Sequence, residues 1–160
     1  MENKTKLQET NKRFRRYQDI GKIDRILIDI QKQLRESYYP VSLEDLTAYE
    51  RKRIHSFFDN KPEFQTKTYR NENNFVLKVF PIGNLKKMAE EKAQHVLKSG
   101  ESIVLTNLGN YERFIIHDHL KMFEGIETAS SGEGNNRKLE IKQKQFGRTL
   151  KKIIKKIKIF

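Results

Sequence analysis

The chain has 160 residues, 36% of them apolar and 34% charged, with a mean hydropathy of −0.82 and a formal net charge of +12. These values predict one small domain or two with a very polar surface, and the positive charge favours a polyanionic partner such as nucleic acid. No apolar run approaches the ~18 residues of a transmembrane segment, the N-terminus lacks the apolar stretch of a secretory signal, and the absence of cysteine excludes disulfides and thiolate metal sites. We therefore expect a cytoplasmic protein without a transmembrane segment.

The positive charge is concentrated at the two ends of the chain. Residues 1–19 carry six basic and three acidic residues, residues 20–81 eleven and nine, residues 82–143 nine and nine, and residues 144–160 seven and none. We interpret residues 1–19 as a basic N-terminal arm, although a solvated tail without a role would have the same composition. Residues 144–160 form a second basic segment.

Residues 20–81 align with residues 82–143 at a constant offset and without a gap. The clearest shared feature is Tyr-Glu-Arg, two variable residues, then Ile-His, which starts at Tyr49 and again at Tyr111. Two long copies favour tandem domains over a repeat array.

Each copy begins with an amphipathic helix, predicted over 22–36 and 84–98, which Ser99-Gly100 ends in the second copy. Short strands follow at 41–43 and 103–105. The second helix carries the shared motif. Thr47 and Glu50 have the spacing of a capping box in the first copy, and Asn107 or Asn110 is expected to cap the second.

Two further strands complete each copy. They are predicted at 64–69 and 75–80, with a turn over 71–74, and at 126–129 and 137–142, joined by the Gly- and Asn-rich residues 130–136. Each copy is therefore predicted as helix–strand–helix–strand–strand. This order favours an α+β fold of two tandem small domains, each a small sheet with helices on one face.

The shared motif places an Arg and a His four residues apart, on one face of a helix. The pairs are Arg51 with His55 and Arg113 with His117. An Arg fork suits phosphate oxygens, and His can donate to a phosphate or stack on a base. The alternative is structural: the Arg would pair with a nearby Glu, and the His would be a satisfied, half-buried polar residue. The Tyr and Ile of the motif are expected in the core.

Nothing in the sequence predicts an enzyme. The two nearest histidines, His117 and His119, lack helical metal-ligand spacing, and Gly132-Glu133-Gly134 is no phosphate loop because it lacks Gly-Lys-Ser/Thr and precedes no helix. No catalytic residue, metal ligand or cofactor is predicted. A nuclease or nuclease accessory is the weakest alternative.

The last residues combine an apolar stripe with lysines. Leu150, Ile153, Ile154 and Ile157 form the stripe, and the lysines include Lys151, Lys152, Lys155 and Lys156. This pattern is typical of a basic amphipathic helix that binds nucleic-acid phosphates. The alternatives are an adaptor that contacts a ribosome, a membrane surface or another protein through residues 150–160, and packing on the second domain.

Residues Leu108 to Leu120, followed by Glu124 to Thr128, Ser131 to Gly134 and Arg137, closely resemble the R-three-H domain, named for its Arg-x-x-x-His motif. The copy is most similar to the C-terminal domain of bacterial Jag-type RNA-binding proteins, and residues 41–80 resemble a diverged member. The resemblance implies binding of single-stranded RNA or DNA, most of all RNA, through Arg51, His55, Arg113 and His117. In Jag-type proteins a KH domain with a Gly-x-x-Gly loop precedes the R-three-H domain, and the present sequence contains no such loop.

Overall fold

A computed structural model describes residues 21–72 and 74–145. The chain divides into two compact units, Met1–Asn84 and Leu85–Phe160. The basic arm of residues 1–19 and the four predicted lysine contacts (Lys151, Lys152, Lys155 and Lys156) lie outside the described residues. Among the helices that the structure describes, none has the length and apolar character needed to span a bilayer.

Among the residues that the structure describes, the first unit contains two helices and three strands. Helix α1 covers residues 21–34 of the described chain. It is followed by β1 (Val41–Leu43), α2 (Ala48–Phe58), β2 (Gln65–Asn71) and β3 (Asn74–Phe80). The strands form an antiparallel sheet in the order β1-β3-β2. In the β2–β3 hairpin Asn71 pairs with Asn74, the two residues that bound the predicted turn.

The second unit has the same order of elements. Helix α3 (Ile82–Ser99) begins just before the division between the units, and β4 (Ile103–Leu105), α4 (Asn110–Leu120), β5 (Ile126–Ser131) and β6 (Lys138–Gln143) follow. The antiparallel sheet has the order β4-β6-β5. Gly100 ends α3 as predicted: its φ is +77°, and its N–H donates to the Val96 carbonyl at 2.9 Å. A short 3-10 turn (Gly134–Asn136) lies between β5 and β6.

Each unit has its own apolar core between its helices and one face of its sheet. In the first unit the buried residues are Ile23, Leu27, Ile30, Leu34, Ile54, Phe58, Leu77 and Val79. In the second they are Leu85, Ala89, Ala93, Val96, Leu108, Ile116, Leu120, Ile126, Leu139 and Ile141. The alternation of Leu139 and Ile141 along β6 shows that one face of the strand carries the core. The α+β class is confirmed, and the assignment of both units to one domain family stays a prediction.

The caps of α2 and α4 differ. In α2 the capping box is confirmed, since Thr47 Oγ1 accepts from the Glu50 N–H at 3.2 Å and Glu50 Oε2 accepts from the Thr47 N–H at 2.7 Å. The prediction that Asn107 or Asn110 caps α4 is wrong. The N-cap is Gly109, because Asn107 is in the left-handed region (φ 59°) and Asn110 is already helical.

The prediction that the motif tyrosines are core residues is wrong for Tyr49, which is 44% exposed. Ile54 is fully buried, and the buried residues of α2 are Glu50, Ile54 and Phe58, four apart along the helix. Tyr49 precedes this row by one residue and is rotated about 100° away from it. The burial of Glu50 is tolerated because Lys22 Nζ lies 2.7 Å from its carboxylate. Burial alone raises the pKa of Glu50, but the hydrogen bonds from Lys22 and Thr47 outweigh it and lower the pKa overall.

Candidate functional site

Each motif histidine lies between two hydroxyl groups of the adjacent strand, at equivalent positions in the two units. In the second unit His117 Nδ1 is 2.6 Å from Thr128 Oγ1, and Nε2 is 3.0 Å from Ser130 Oγ. In the first unit His55 Nδ1 is 2.5 Å from Thr66 Oγ1, and Nε2 is 2.9 Å from Thr68 Oγ1. Because both ring nitrogens are engaged, each imidazole joins its helix to the first strand of its hairpin.

Both motif arginines donate to the carbonyl five residues upstream. Arg51 Nη1 donates to the Leu46 carbonyl at 2.5 Å, and Arg113 Nη1 donates to the Leu108 carbonyl. Arg113 also donates through Nη2 to Asn110 Oδ1 and is only 6% exposed. These bonds fix the loop that enters each helix. The prediction that each Arg would pair with a nearby Glu is wrong, because the partner is a backbone carbonyl.

A cleft of about 630 Å³ lies at the N-terminus of α4 in the second unit. Its lining residues are Asn107, Leu108, Gly109, Asn110, Arg113, Gly134 and Arg137. Two of these side chains are guanidinium groups and none is a carboxylate. Arg137 comes from the β5–β6 connection, so the cleft joins the helix to the hairpin. This composition suits an anionic group that accepts hydrogen bonds from arginine.

The carboxylate of Glu112 modifies the helix end beside the cleft. Glu112 is 7% exposed, and a Cβ added to Gly109 would lie 2.5 Å from its Oε2. The carboxylate therefore occupies the position that a side chain at Gly109 would need. A negative charge in the first turn also offsets part of the positive end of the helix dipole. The attraction of the cleft for an anion consequently comes from Arg113 and Arg137.

His117 stands at the edge of this positive region. Burial lowers its pKa below the ordinary value of 6.5, and the positive charges of Lys121, Arg137 and Arg113 lower it further. The ring is therefore neutral at pH 7. A neutral imidazole between two hydroxyls serves as a positioning group, and the charge that faces a ligand belongs to the arginines.

The corresponding region of the first unit has a different composition. Phe75 takes the position of Arg137 at the offset of 62 residues, and its ring lies 4.6 Å from the Arg51 guanidinium carbon. The guanidinium of Arg70 lies 5.9 Å from the same ring. Phe75 is 42% exposed. The two units therefore share their motif geometry and differ in the groups that surround it.

The remaining histidines do not join these regions. His119 Nε2 lies 2.7 Å from Glu90 Oε1 and ties α4 to α3, and His95 approaches Ser99 Oγ at 3.4 Å. Within the described residues there is no group of three His, Asp or Glu side chains that could hold a metal ion.

Arg137 and Phe75 were not among the predicted contacts, although both can be found from the sequence. They follow the turn of each hairpin, at the same position of the aligned copies. The exchange of a cation for an aromatic ring at one position is the signal. What the sequence does not provide is the pairing of these positions with Arg113 and Arg51.

Residues 83–143 match the family model of the R-three-H domain, which confirms the resemblance for the second copy. The R-three-H domain is generally a single-stranded nucleic-acid-binding domain. A comparison with curated proteins finds no match to the chain.

Proposed function

We propose that the protein binds single-stranded nucleic acid, RNA in preference to DNA, and has no enzymatic activity. The binding site in this proposal is the α4 cleft of the second unit. The observation that carries the proposal is the convergence of Arg113 and Arg137 on one cleft, in which the described lining residues include no carboxylate. The match of residues 83–143 to a domain that generally binds single strands supports it.

The two arginines have different roles in this proposal. Arg137 is exposed and lines the cleft, so we assign its guanidinium the contact to a phosphate of the strand. Arg113 is buried and already donates to the Leu108 carbonyl and to Asn110 Oδ1. We therefore assign it the role of shaping the cleft and adding positive charge to its wall. His117, neutral and held by two hydroxyls, positions α4 against β5.

The basic terminal segments add long-range attraction. Residues 82–143 carry equal numbers of basic and acidic residues, so this region has no net charge with which to attract a polyanion. The arm and the tail, including Lys151, Lys152, Lys155 and Lys156, supply that charge. We assign them the salt-dependent part of the affinity and the cleft the local contacts. We place the protein in the cytoplasm, in keeping with a chain without cysteine.

The proposal is tested by fluorescence anisotropy of the full chain with labelled single- and double-stranded RNA and DNA of equal length. We expect tighter binding to single strands, with RNA preferred. Arg137→Ala is expected to weaken binding several-fold, because one charge-assisted contact to phosphate is removed. Lys92→Ala removes the same charge from an exposed position on α3 and serves as the matched control.

Equal losses in Arg137→Ala and Lys92→Ala would show that only net charge matters, and the cleft would then have no specific role. Absence of binding to all four nucleic acids would reject the function itself.

A further inference from the structure

The region of the first unit that corresponds to the α4 cleft differs in charge from the phosphate-binding cleft proposed for the second unit. The positions that match the second unit's Asn107, Arg113, Gly134 and Arg137 are Asp45, Arg51, Glu72 and Phe75. At these four positions two cations and no anion become one cation and two anions, and Arg70 adds a second cation beside Phe75. The first unit thus has no excess of positive charge here with which to hold a phosphate group.

In the first unit an aromatic ring, Phe75, stands at the position that matches Arg137. Phe75 pairs with Arg70 across the β2–β3 hairpin, and the Arg51 guanidinium lies 4.6 Å from the centre of its ring. Arg51 is itself fixed by its bond to the Leu46 carbonyl. The ring is therefore held by two guanidinium groups while 42% of the residue stays exposed. The residue therefore keeps accessible ring surface beside two guanidinium groups, and a planar group can stack there.

We propose that Phe75, Arg51 and Arg70 form a stacking platform for an unpaired nucleobase of the same single strand. This inference rests on the proposed function of the second unit and adds a ligand to the first. Bases stack on aromatic rings and on arginine planes, and such stacking depends little on sequence. A base is neutral, so the acidic residues Asp45 and Glu72 of the matched positions would not repel it as they would a phosphate.

The platform explains why the motif geometry is the same in both units while the surroundings differ. In both units the Arg bond to a carbonyl and the His bridge to two hydroxyls hold the helix and the hairpin together. The residue after the hairpin turn then decides the ligand: Arg137 for a phosphate, Phe75 for a base. Two linked sites on one strand would raise the affinity through effective concentration.

The test compares the binding of an unmodified single strand with that of an abasic strand of equal length and charge. The wild-type full chain is expected to bind the unmodified strand about tenfold more tightly, the effect of stacking one base. Phe75→Ala is expected to remove this difference and leave the affinity for the abasic strand unchanged. Arg137→Ala is expected to weaken the binding of both strands.

A fluorescence readout gives a second, independent measurement. The chain has no tryptophan, so Phe75→Trp introduces a single reporter that keeps an aromatic ring at the platform. Its emission is expected to be quenched when the unmodified strand binds and to change little with the abasic strand. Met122→Trp is the matched control, because Met122 is 90% exposed and follows the opposite end of α4 from the cleft.

The outcomes separate the two proposals. Equal wild-type affinity for both strands, or an unquenched Phe75→Trp under saturating strand, overturns the platform and leaves the phosphate cleft standing. Loss of affinity for the abasic strand in Phe75→Ala also overturns it, since Phe75 would then support binding in general. A wild-type protein that binds neither strand overturns the function proposed for the second unit, and the platform with it.

Discussion

His117 Nδ1 lies 2.6 Å from the Oγ1 of Thr128, and this contact joins helix α4 to strand β5. The same contact joins His55 to Thr66 in the first unit at 2.5 Å. A histidine that is predicted to contact a ligand is therefore used first to hold a helix against a sheet. The following predictions separate this structural use from binding.

Replacing His117 by Ala should lower the stability of the second unit by about 1–2 kcal/mol, because hydrogen bonds to two hydroxyls are lost. Hydrogen exchange of the α4 amide groups measures this locally, which avoids treating a two-unit chain as a two-state system. His95→Ala is the control, since His95 is exposed and its contact to Ser99 Oγ is long, at 3.4 Å. Unchanged exchange in His117→Ala would mean that the bridge contributes nothing.

Arg113→Ala should mainly lower the stability, whereas Arg137→Ala should mainly weaken strand binding. Arg113→Ala should lower stability by about 1.5–3 kcal/mol, because a bond from a charged donor to the Leu108 carbonyl is lost in a buried place. Arg137 is exposed, so its replacement should weaken strand binding with little change in urea midpoint. Arg113→Lys should recover only part of the stability, because an ammonium lacks the fork that reaches both Leu108 and Asn110. An Arg113→Ala variant as stable as wild type would contradict this assignment.

The stability of the second unit should fall as the pH is lowered from neutrality. The unfolded chain titrates His117 near 6.5, whereas burial and the neighbouring cations lower the pKa in the folded state. Between these two values the unfolded chain binds more protons, so stability rises with pH. The contribution is fully present above pH 6.5 and is lost as the pH falls through the folded pKa. An NMR titration of the His117 ring gives that pKa directly; a value of 6.5 would remove the expected slope, and a higher value would reverse it.

Gly109→Ala should destabilise α4 even though its φ of −68° suits any residue. The reason is steric, since the new Cβ would lie 2.5 Å from Glu112 Oε2 in a nearly buried position. Adding Glu112→Ala should restore part of the stability, and a thermal melt of the two variants measures this. A Gly109→Ala variant as stable as the wild type would show that the carboxylate moves aside freely.

In α2, Thr47→Ala should lower the stability by about 1 kcal/mol through the loss of the cap.

Deletion of residues 144–160 should reduce the salt dependence of strand binding. The segment carries seven basic residues and no acidic one. If roughly six of them each displace a counterion from a single strand, the affinity of the full chain contains a factor that falls with about the fourth power of salt. The deleted chain should keep a weaker, less salt-dependent affinity through the cleft. Complete loss of binding would favour the alternative in which residues 150–160 are themselves the contact.

The local features of the fold could be predicted because they depend on residues near one another in the chain. The capping box of Thr47 and Glu50, the end of α3 at Gly100 and the hairpin turn after Asn71 all follow from spacing and from residue type. The cap of α4 could not, because Asn107 and Asn110 are both acceptable caps by composition. The loop conformation and the position of Glu112 decide in favour of Gly109.

The candidate site was predictable only in part. The duplicated Arg and His showed which positions to examine, and the retained Thr66 and Thr128 were a signal for the hydroxyl partner. The role of those positions was not visible, because an Arg that donates to a carbonyl and an Arg that awaits a phosphate have the same spacing. Likewise, the burial of Glu50 and the exposure of Tyr49 depend on which side of α2 the sheet covers.

By itself, the sequence determined the α+β class, the order of elements in each copy and the motif that the copies share, because helical and strand periods and turn residues act over a few positions. Only the tertiary structure decided that His117 bonds to Thr128 and Ser130, that Arg113 is buried against Leu108, and that Arg137 and Phe75 stand beside the motif arginines. These relations join residues on different elements. The packing of α4 and of the hairpin brings them together, and no spacing within one segment encodes that distance.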